Sequence, residues 1–361
     1  MDTAVKDSVT VYRCPNCGGE ISFDAHSQKL SCPYCDTEFD IQTLKEYNQE
    51  INKETIEDMK WDYDHHDTFT DENLVVYSCH SCGGQIISNQ DTIATHCPYC
   101  NNPVIFNKNV YGELKPDYLI PFSLTKEDAK EKLKEFYKGK PFLPSSFKND
   151  QILDEIKGLY VPFWVYHCNA DIYQQYRTTK VRTYSDSRYI YTETSHFLVT
   201  REGTVEFNNV PVDGATKIDN IAMQSIEPFD FSKAVPFSSD YLAGYFADKY
   251  DVNVVDCENE ANNRIKNSSD TLVRNTVNLY TTVNKEKSSI ELKNKDYDYY
   301  LLPVWFLNIN WNNEKYTFMM NGQTGKFIGD LPADMKLFWK DVLIYMIVLF
   351  IVVFGFLFLV G

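Results

Sequence analysis

Eight of the ten cysteines in this 361-residue chain fall into two matched groups of four. They are Cys14, Cys17, Cys32, Cys35, Cys79, Cys82, Cys97 and Cys100. Each group consists of two Cys-x-x-Cys turns with 14 residues between them, and the second group lies 65 positions after the first. Two such turns brought together by a hairpin place four thiolates in a tetrahedron, which suits zinc. The spacing therefore predicts two four-cysteine zinc sites.

The residue after each turn supports a metal-binding knuckle. These residues are Gly18, Asp36, Gly83 and Asn101, which are residue types that tolerate positive φ. Between the two turns of the first group, the pattern predicts a hairpin with a short strand at residues 29–31. We therefore expect two small rubredoxin-like β zinc ribbons.

Two other uses of these cysteines fit the sequence less well. Disulfides are typical of small secreted domains, and we expect no secretory signal at the start of this chain. A thioredoxin-like redox site needs one Cys-x-x-Cys motif rather than matched pairs. Four cysteines also close the coordination shell, so the zinc is expected to be structural rather than catalytic. We expect His80 and His96, beside the ligands, to be surface residues.

The charge of the chain disfavours nucleic acid as a partner. The net charge is −16, and residues 1–100 contain six Lys/Arg against eighteen Asp/Glu. Each zinc with four thiolates adds about −2. Nucleic-acid affinity depends on neutralising phosphates with basic groups, and the ribbons carry no basic patch. Reduced, metal-bound cysteines indicate a reducing compartment, the cytosol.

The linear order of signals predicts five segments. Residues 1–40 form zinc ribbon 1, 41–73 a helical and acidic linker, 74–108 zinc ribbon 2, 109–335 an α+β domain, and 336–361 a C-terminal transmembrane anchor. Apolar residues at helical spacing predict that the linker helix extends over residues 41–60. The His/Asp cluster at 61–67 could hold a metal, but a solvated acidic loop is the favoured interpretation.

Within the α+β domain, Thr125 and Asp128 fit a capping box that opens a helix ending near Gly139. Two further helices are expected at residues 239–250 and 256–275. The strand-rich regions are expected at 159–211, 277–283, 289–292, 299–311 and 315–320, with a hairpin turn at 321–325. No role is assigned to Cys168, Cys257 or His167.

A weaker repeat occurs in the same domain. Pro-Phe-Ser segments at Pro121 and Pro236 each precede a predicted helix and a later strand containing Pro162 or Pro303. One interpretation is a duplicated α+β unit with an insertion in the second copy. The other is coincidence in an aromatic-rich domain.

Residues 342–360 form a run of nineteen residues without a charge. At about 1.5 Å per residue, a helix of this length spans roughly 28 Å, close to the hydrocarbon thickness of a bilayer. Lys336 and Lys340 precede the run, and Trp339 suits the membrane interface. The positive-inside rule then keeps the N-terminal part in the cytosol. We expect a single-pass, tail-anchored protein of the cell membrane.

Besides the two ribbons, the chain has distinctive segments at residues 119–122, 158–164, 210–214, 226–230 and 241–245. Together with the ribbons, these segments resemble those of a bacterial family of membrane-anchored double zinc-ribbon proteins, the YdjG-like group. Members are described as TFIIB-type zinc-ribbon proteins and sometimes as primosomal-helicase-like. The resemblance implies an uncharacterised, non-enzymatic membrane protein. Some relatives are encoded near phage-shock-type membrane-stress proteins, which implies a role as an adaptor in membrane stress. This chain has no Walker motif that would support helicase activity.

Three functions are weighed. The leading hypothesis is a membrane-tethered adaptor that binds other proteins, themselves membrane-associated. The alternative is a nucleic-acid-binding or helicase-accessory protein, which would need a basic face assembled from distant residues. An enzyme is the third, but no Ser/His/Asp, Cys/His or open-metal constellation can be assembled from the sequence.

Overall fold

The computed structural model describes residues 13–24, 27–52, 57–63, 67–69, 74–89, 96–109 and 113–360. Residues 64–66 of the predicted His/Asp cluster lie outside this part. Contacts between Cα atoms divide the chain into two compact units, neither of which is a continuous stretch. Unit 1 comprises residues 1–60, 169–206 and 265–293, and unit 2 comprises residues 61–168, 207–264 and 294–361. The two cysteine groups therefore belong to different units.

In unit 1, the first cysteine group lies on a three-stranded antiparallel sheet. Its strands are β1 (Ser22–Asp24), β2 (Lys29–Ser31) and β3 (Glu38–Phe39), with β2 in the centre. The strand expected at residues 29–31 is confirmed. Helix α1 (Ile41–Asn52) follows at once, because the Asp40 carboxylate accepts from the backbone N–H groups of Gln42 and Thr43 at 2.9 and 3.2 Å.

The linker helix is shorter than predicted. Residues 57–60 are not helical, and Asp58 instead exchanges backbone hydrogen bonds with Ile290 and Leu292 at 3.1 and 2.9 Å. The part of the predicted helix at residues 57–60 is therefore an extended segment in the structure. Residues 53–56 are outside the described part.

The remaining helices and strands follow in chain order. They are β4 (Leu74–Ser78), β5 (Gln85–Asn89), β6 (Ile105–Asn109), β7 (Tyr118–Leu119), α2 (Lys126–Tyr137), α3 (Asp150–Leu153), β8 (Lys157–Ser185), β9 (Ile190–Asp213), α4 (Asn220–Ile226), β10 (Val235–Pro236), β11 (Phe246–Asp248), α5 (Val254–Asn275), β12 (Thr282–Trp311), β13 (Glu314–Asn321), β14 (Phe327–Gly329) and α6 (Met335–Val360). Among them, β8, β9, β12 and α5 contribute residues to both units.

A large mixed sheet organises these strands in the order β10-β7-β12-β8-β11-β5-β4-β6. The pairs β7/β12 and β8/β11 are parallel, whereas β5 pairs antiparallel with β4 and β11. Strand β9 pairs with β8, and β13 pairs with β12 and β14. The body is therefore a mixed α/β structure in which strands of the second cysteine group continue the sheet of unit 2.

The described residues of unit 2 include two buried apolar clusters. One includes Cys79, Cys97 and Tyr99 together with residues of β8 and β12, and the other places α2 against β12 and β13. The predicted capping box of α2 is confirmed, because Thr125 and Asp128 bond reciprocally across the first turn. In unit 1, a smaller cluster consists of Tyr176, Val199 and Val277.

The helix predicted at residues 239–250 is wrong. The structure has a 3-10 turn at Ser239–Leu242, Gly244 at a φ of +83°, and then β11. The Ser238 hydroxyl caps only that turn, by accepting from the Asp240 N–H at 3.3 Å, and the left-handed Gly244 ends it. The helix at 256–275 is confirmed within α5. Because the helix of the second copy is missing, the internal duplication remains only a prediction.

The strand predictions are partly correct. Residues 159–211 fall almost entirely in β8 and β9, and residues 321–325 form the turn between β13 and β14, closed by the Gly325 N–H bonding the Asn321 carbonyl at 2.9 Å. The strand expected at 277–283 is wrong for residues 277–281, because β12 begins at Thr282. The strands expected at 289–292 and 299–311 are both part of β12. Within helix α6, Met335–Gly355 is long and apolar enough to cross a membrane, and its 18-residue apolar window has a mean hydropathy of 2.4 and is not buried.

Candidate metal centres

Four backbone turns of the same geometry present the eight predicted cysteines. In the first, the Cys14 N–H donates to the Gly19 carbonyl at 2.7 Å, and the Gly18 N–H donates to the Cys14 carbonyl at 2.8 Å. Equivalent bonds recur at Cys32, Cys79 and Cys97, at 2.8–3.0 Å. The residue after each turn has a positive φ, between +54° and +76°. This confirms the conformation predicted for Gly18, Asp36, Gly83 and Asn101.

The turns bring the thiols of each group together. All four sulfurs of a group lie within 4.8 Å of one another. In the first group, Cys14–Cys35 and Cys17–Cys32 are 3.6 and 3.5 Å apart. In the second, Cys79–Cys100 and Cys82–Cys97 are 3.5 and 3.6 Å apart.

These distances distinguish a metal site from a disulfide. A disulfide bond is about 2.05 Å long, whereas a tetrahedron of sulfurs each about 2.3 Å from a zinc ion has edges of about 3.8 Å. The sulfur–sulfur spacings in both clusters are close to the second value. The two clusters could therefore hold metal ions, and the all-thiolate donor set fits zinc.

The thiols within a cluster differ in acidity. The Thr37 hydroxyl, 3.2 Å from the Cys35 sulfur, lowers the pKa of Cys35 to about 6. Burial opposes ionisation of Cys100, but hydrogen bonds from the backbone and side chain of Asn102 lower its pKa to about 6. Burial raises the pKa of Cys14 and Cys97. Further thiolates within 4.8 Å of the first would repel it, so a bound cation would be needed to ionise all four.

Distant cationic side chains contact the cysteine turns of both clusters. The Arg177 guanidinium donates to the Pro15 carbonyl at 3.2 Å in the first cluster. In the second, the Lys157 ammonium donates to the Asn101 side-chain oxygen at 2.9 Å, and the Lys315 ammonium donates to the Tyr99 carbonyl at 2.7 Å. These cations would offset the net negative charge of a dication with four thiolates. No motif in the sequence indicated these contacts, because the cations lie far along the chain from the cysteines.

An aromatic residue packs on a glycine in both clusters, but in different environments. A Cβ atom on Gly19 would lie 2.5 Å from the Tyr34 ring, and one on Gly84 would lie 3.1 Å from the Tyr99 ring. Tyr34 is 74% exposed, whereas Tyr99 is 3% exposed and belongs to the main core of unit 2. The second cluster is therefore built into a hydrophobic core, and the first stands on a small sheet of its own.

The second cluster is also tied to the sheet by polar contacts. The Tyr99 hydroxyl donates to the buried Asp248 carboxyl group on β11, and the Asn308 amide donates to the Tyr99 carbonyl at 2.6 Å. Burial raises the pKa of Asp248 to about 8. It also raises the pKa of Asp213, one of whose oxygens has no hydrogen-bond partner among the described residues. Sequence reasoning missed both acids because nothing in a lone Asp marks it as buried.

The unassigned residues have structural surroundings. His167 accepts from the Asn209 N–H through Nδ1 at 3.2 Å and lies 3.0 Å from the Asp298 carboxylate through Nε2, so Nε2 carries a proton. Burial raises the pKa of Cys168 to about 11 and that of Cys257 to about 12. Neither belongs to a cysteine cluster. His80 and His96 are exposed, as expected.

Comparison with known proteins relates the chain to a bacterial protein. No protein-family model matches the chain, and no solved structure resembles it significantly. The chain is 31% identical over 323 residues to the uncharacterised protein YdjG of Bacillus subtilis (strain 168), and the match covers 90% of each chain. Identity at this level over nearly the full length of both proteins shows common descent, and the chain therefore belongs to the YdjG family.

Proposed function

We propose that this protein is a membrane-anchored adaptor whose two rubredoxin-like ribbons each hold one structural zinc ion. Cys14, Cys17, Cys32 and Cys35 bind the first, and Cys79, Cys82, Cys97 and Cys100 bind the second. Four sulfurs close each coordination shell, so the ions stabilise folded surfaces and leave no position for substrate. Helix α6 anchors the chain, with the ribbons in the cytosol because Lys336 and Lys340 precede the span.

The observation that carries the adaptor role is an exposed aromatic hairpin in unit 1. Strands β8 and β9 are joined by a turn in which the Asp186 carboxylate accepts from the Arg188 and Tyr189 N–H groups, both at 2.7 Å. The Tyr191 hydroxyl donates to the same carboxylate at 3.0 Å. The Tyr184 and Tyr191 rings stack with centroids 5.2 Å apart. The tip is thus ordered by its own contacts.

This ordered tip exposes a cluster of large apolar side chains of the kind that soluble proteins usually bury. Tyr184, Tyr189 and Ile190 are 50%, 64% and 77% exposed. Clustered exposed apolar side chains mark interaction sites, and tyrosine is enriched at protein interfaces. Because the hairpin is preorganised, a partner would not have to order it on binding. These features favour a protein partner, which we place at the membrane.

Site-specific crosslinking of the full chain in intact cells tests this role. A photoreactive amino acid replaces Ile190, and the control variant carries it at Ile221, which is 73% exposed on α4. We expect discrete protein adducts from position 190 and none of the same mass from position 221. Absence of adducts at 190, or the same adducts at both positions, would contradict the adaptor role. Adducts removed by nuclease would favour the nucleic-acid alternative.

The anchor has a separate test. Deletion of residues 337–361 should move the protein from the membrane fraction to the soluble fraction, because it removes the uncharged run. An impermeant amine reagent applied to intact cells should leave the N-terminal part unlabelled. Labelling from outside would reverse the proposed orientation.

A further inference from the structure

Unit 2 carries an open basic concavity of about 610 Å³ after helix α2. Four exposed lysines line it, with Asp150 as the one acidic residue among the lining side chains. They are Lys134, Lys138, Lys140 and Lys148. Lys134 pairs with Asp150 at 2.6 Å, which leaves three lysine charges in excess. This is a local reversal of sign on a chain whose net charge is −16.

The helix end accounts for only part of this cluster. Lys134 lies in the last turn of α2 and Lys138 at its C-cap, where cations interact favourably with the helix dipole. Lys140 and Lys148 lie beyond the helix, on the segment that leads to α3. The buried Tyr137 hydroxyl also lines this region and has no hydrogen-bond partner among the described residues. Helix capping therefore does not explain why four lysines surround one concavity.

The position of the concavity does suggest an explanation, because the same segment contacts the start of α6. The Asp334 N–H donates to the Phe142 carbonyl at 2.8 Å, and the Phe142 and Phe338 rings meet edge-on with centroids 5.3 Å apart. Phe142 follows Lys140 by two residues, so their Cα atoms are at most about 7.6 Å apart. Lys140 is thus held near the first turn of α6, and the other three lysines line the same concavity.

The depth of this contact matches the headgroup layer of a bilayer. Phe338 precedes the first residue of the uncharged run, Val342, by four positions, which is about 6 Å along a helix. Hydrocarbon of about 30 Å within a bilayer of about 40–45 Å leaves several ångströms of headgroups on each side. When 342–360 spans the hydrocarbon, the basic concavity lies at the level of lipid phosphates.

We propose that this concavity binds the phosphate headgroups of anionic lipids next to α6. The inference rests on the membrane anchoring proposed above. Clusters of lysine beside a membrane helix are attracted to the negative surface of anionic bilayers. On the neighbouring segment, Asp334 and Asp341 offset the charges of Lys336 and Lys340, so the excess positive charge is that of the concavity itself. The headgroup contact would fix how unit 2 is oriented on the membrane surface.

The test uses the purified full chain reconstituted into nanodiscs of phosphatidylcholine alone, or with phosphatidylglycerol added. Labelling of each lysine by an amine reagent is followed by mass spectrometry. We expect severalfold slower labelling of Lys138, Lys140 and Lys148 when phosphatidylglycerol is present, and loss of that protection at high salt because screening shortens the range of the attraction. Lys45, Lys217 and Lys233, which are exposed elsewhere, should label equally in both bilayers.

A triple variant, K138Q/K140Q/K148Q, should copurify with less phosphatidylglycerol than the matched K45Q/K217Q/K233Q variant. Equal labelling in both bilayers, or equal lipid retention by the two variants, would overturn the inference. Protection of the same size from inorganic phosphate or a single-stranded oligonucleotide in detergent would overturn the choice of lipid. Failure of the chain to enter nanodiscs at all would instead overturn the proposed anchor.

Discussion

The Tyr99 hydroxyl donates a hydrogen bond to the Asp248 carboxyl group, and this contact joins the second cysteine cluster to strand β11. The corresponding residue of the first cluster, Tyr34, is 74% exposed. Two clusters with the same spacing therefore have different structural roles. The second is part of the core of unit 2, and the first supports a small sheet in unit 1.

This difference predicts unequal effects of losing one ligand. Cys82→Ser should lower the main thermal transition by several degrees, because metal binding contributes to folding and the second cluster lies in the core. Cys17→Ser should leave that transition nearly unchanged and unfold only the small sheet. Calorimetry and proteolysis of both variants test this. Equal destabilisation by the two substitutions would contradict the distinction.

The glycine contacts predict a second asymmetry. Gly84→Ala forces a Cβ against the Tyr99 ring, which is buried and held at its hydroxyl, so we expect a loss of about 1–3 kcal/mol in unfolding free energy. Gly19→Ala makes a closer contact, but the exposed Tyr34 ring can move aside. Denaturant unfolding should show the larger loss for Gly84→Ala. A larger loss for Gly19→Ala would show that Tyr34 is held in place.

Asp248 predicts how stability depends on pH. Its pKa is about 8 in the folded protein, against an ordinary value of 3.8, so the folded state retains the proton over a range where the unfolded chain has lost it. Its contribution to stability is complete below about pH 4 and is lost as the pH rises to about 8. Asp248→Asn should flatten the fall in stability between these values. The same slope in the variant and the parent would assign the dependence to other groups.

The cap of α2 gives a local test of the fold. Thr125→Ala removes the hydroxyl that accepts from the Asp128 N–H and should reduce stability by about 1 kcal/mol. Thr125→Ser keeps the acceptor and should retain most of the stability. Chemical denaturation of both variants measures the difference, and equal losses would contradict a capping role.

The features that could be predicted from the sequence are those that neighbouring residues determine by themselves. The cysteine turns were predictable because spacing and the residues at Gly18, Asp36, Gly83 and Asn101 determine the backbone without help from distant parts. The same holds for the Thr125 cap. The apolar run of α6 was equally plain, because length and lack of charge alone define it.

Other features depend on pairing across the chain. Strand β12 continues through polar residues and through Asn294 at a φ of +50°, where a strand is not expected from propensity, because its neighbours in the sheet supply its hydrogen bonds. The two compact units are discontinuous along the chain, and each is assembled from segments that are far apart in sequence. The cations at Arg177, Lys157 and Lys315 reach the clusters only through the fold.

Each cysteine cluster is proposed to hold zinc through four sulfurs. Zinc K-edge X-ray absorption, combined with elemental analysis of the purified full chain, is the decisive test. We expect two zinc ions per chain and a single shell of four sulfurs at about 2.3 Å, with no nitrogen or oxygen ligand. A folded protein that contains no zinc and has disulfides between these cysteines, or a zinc shell containing nitrogen or oxygen, would contradict it.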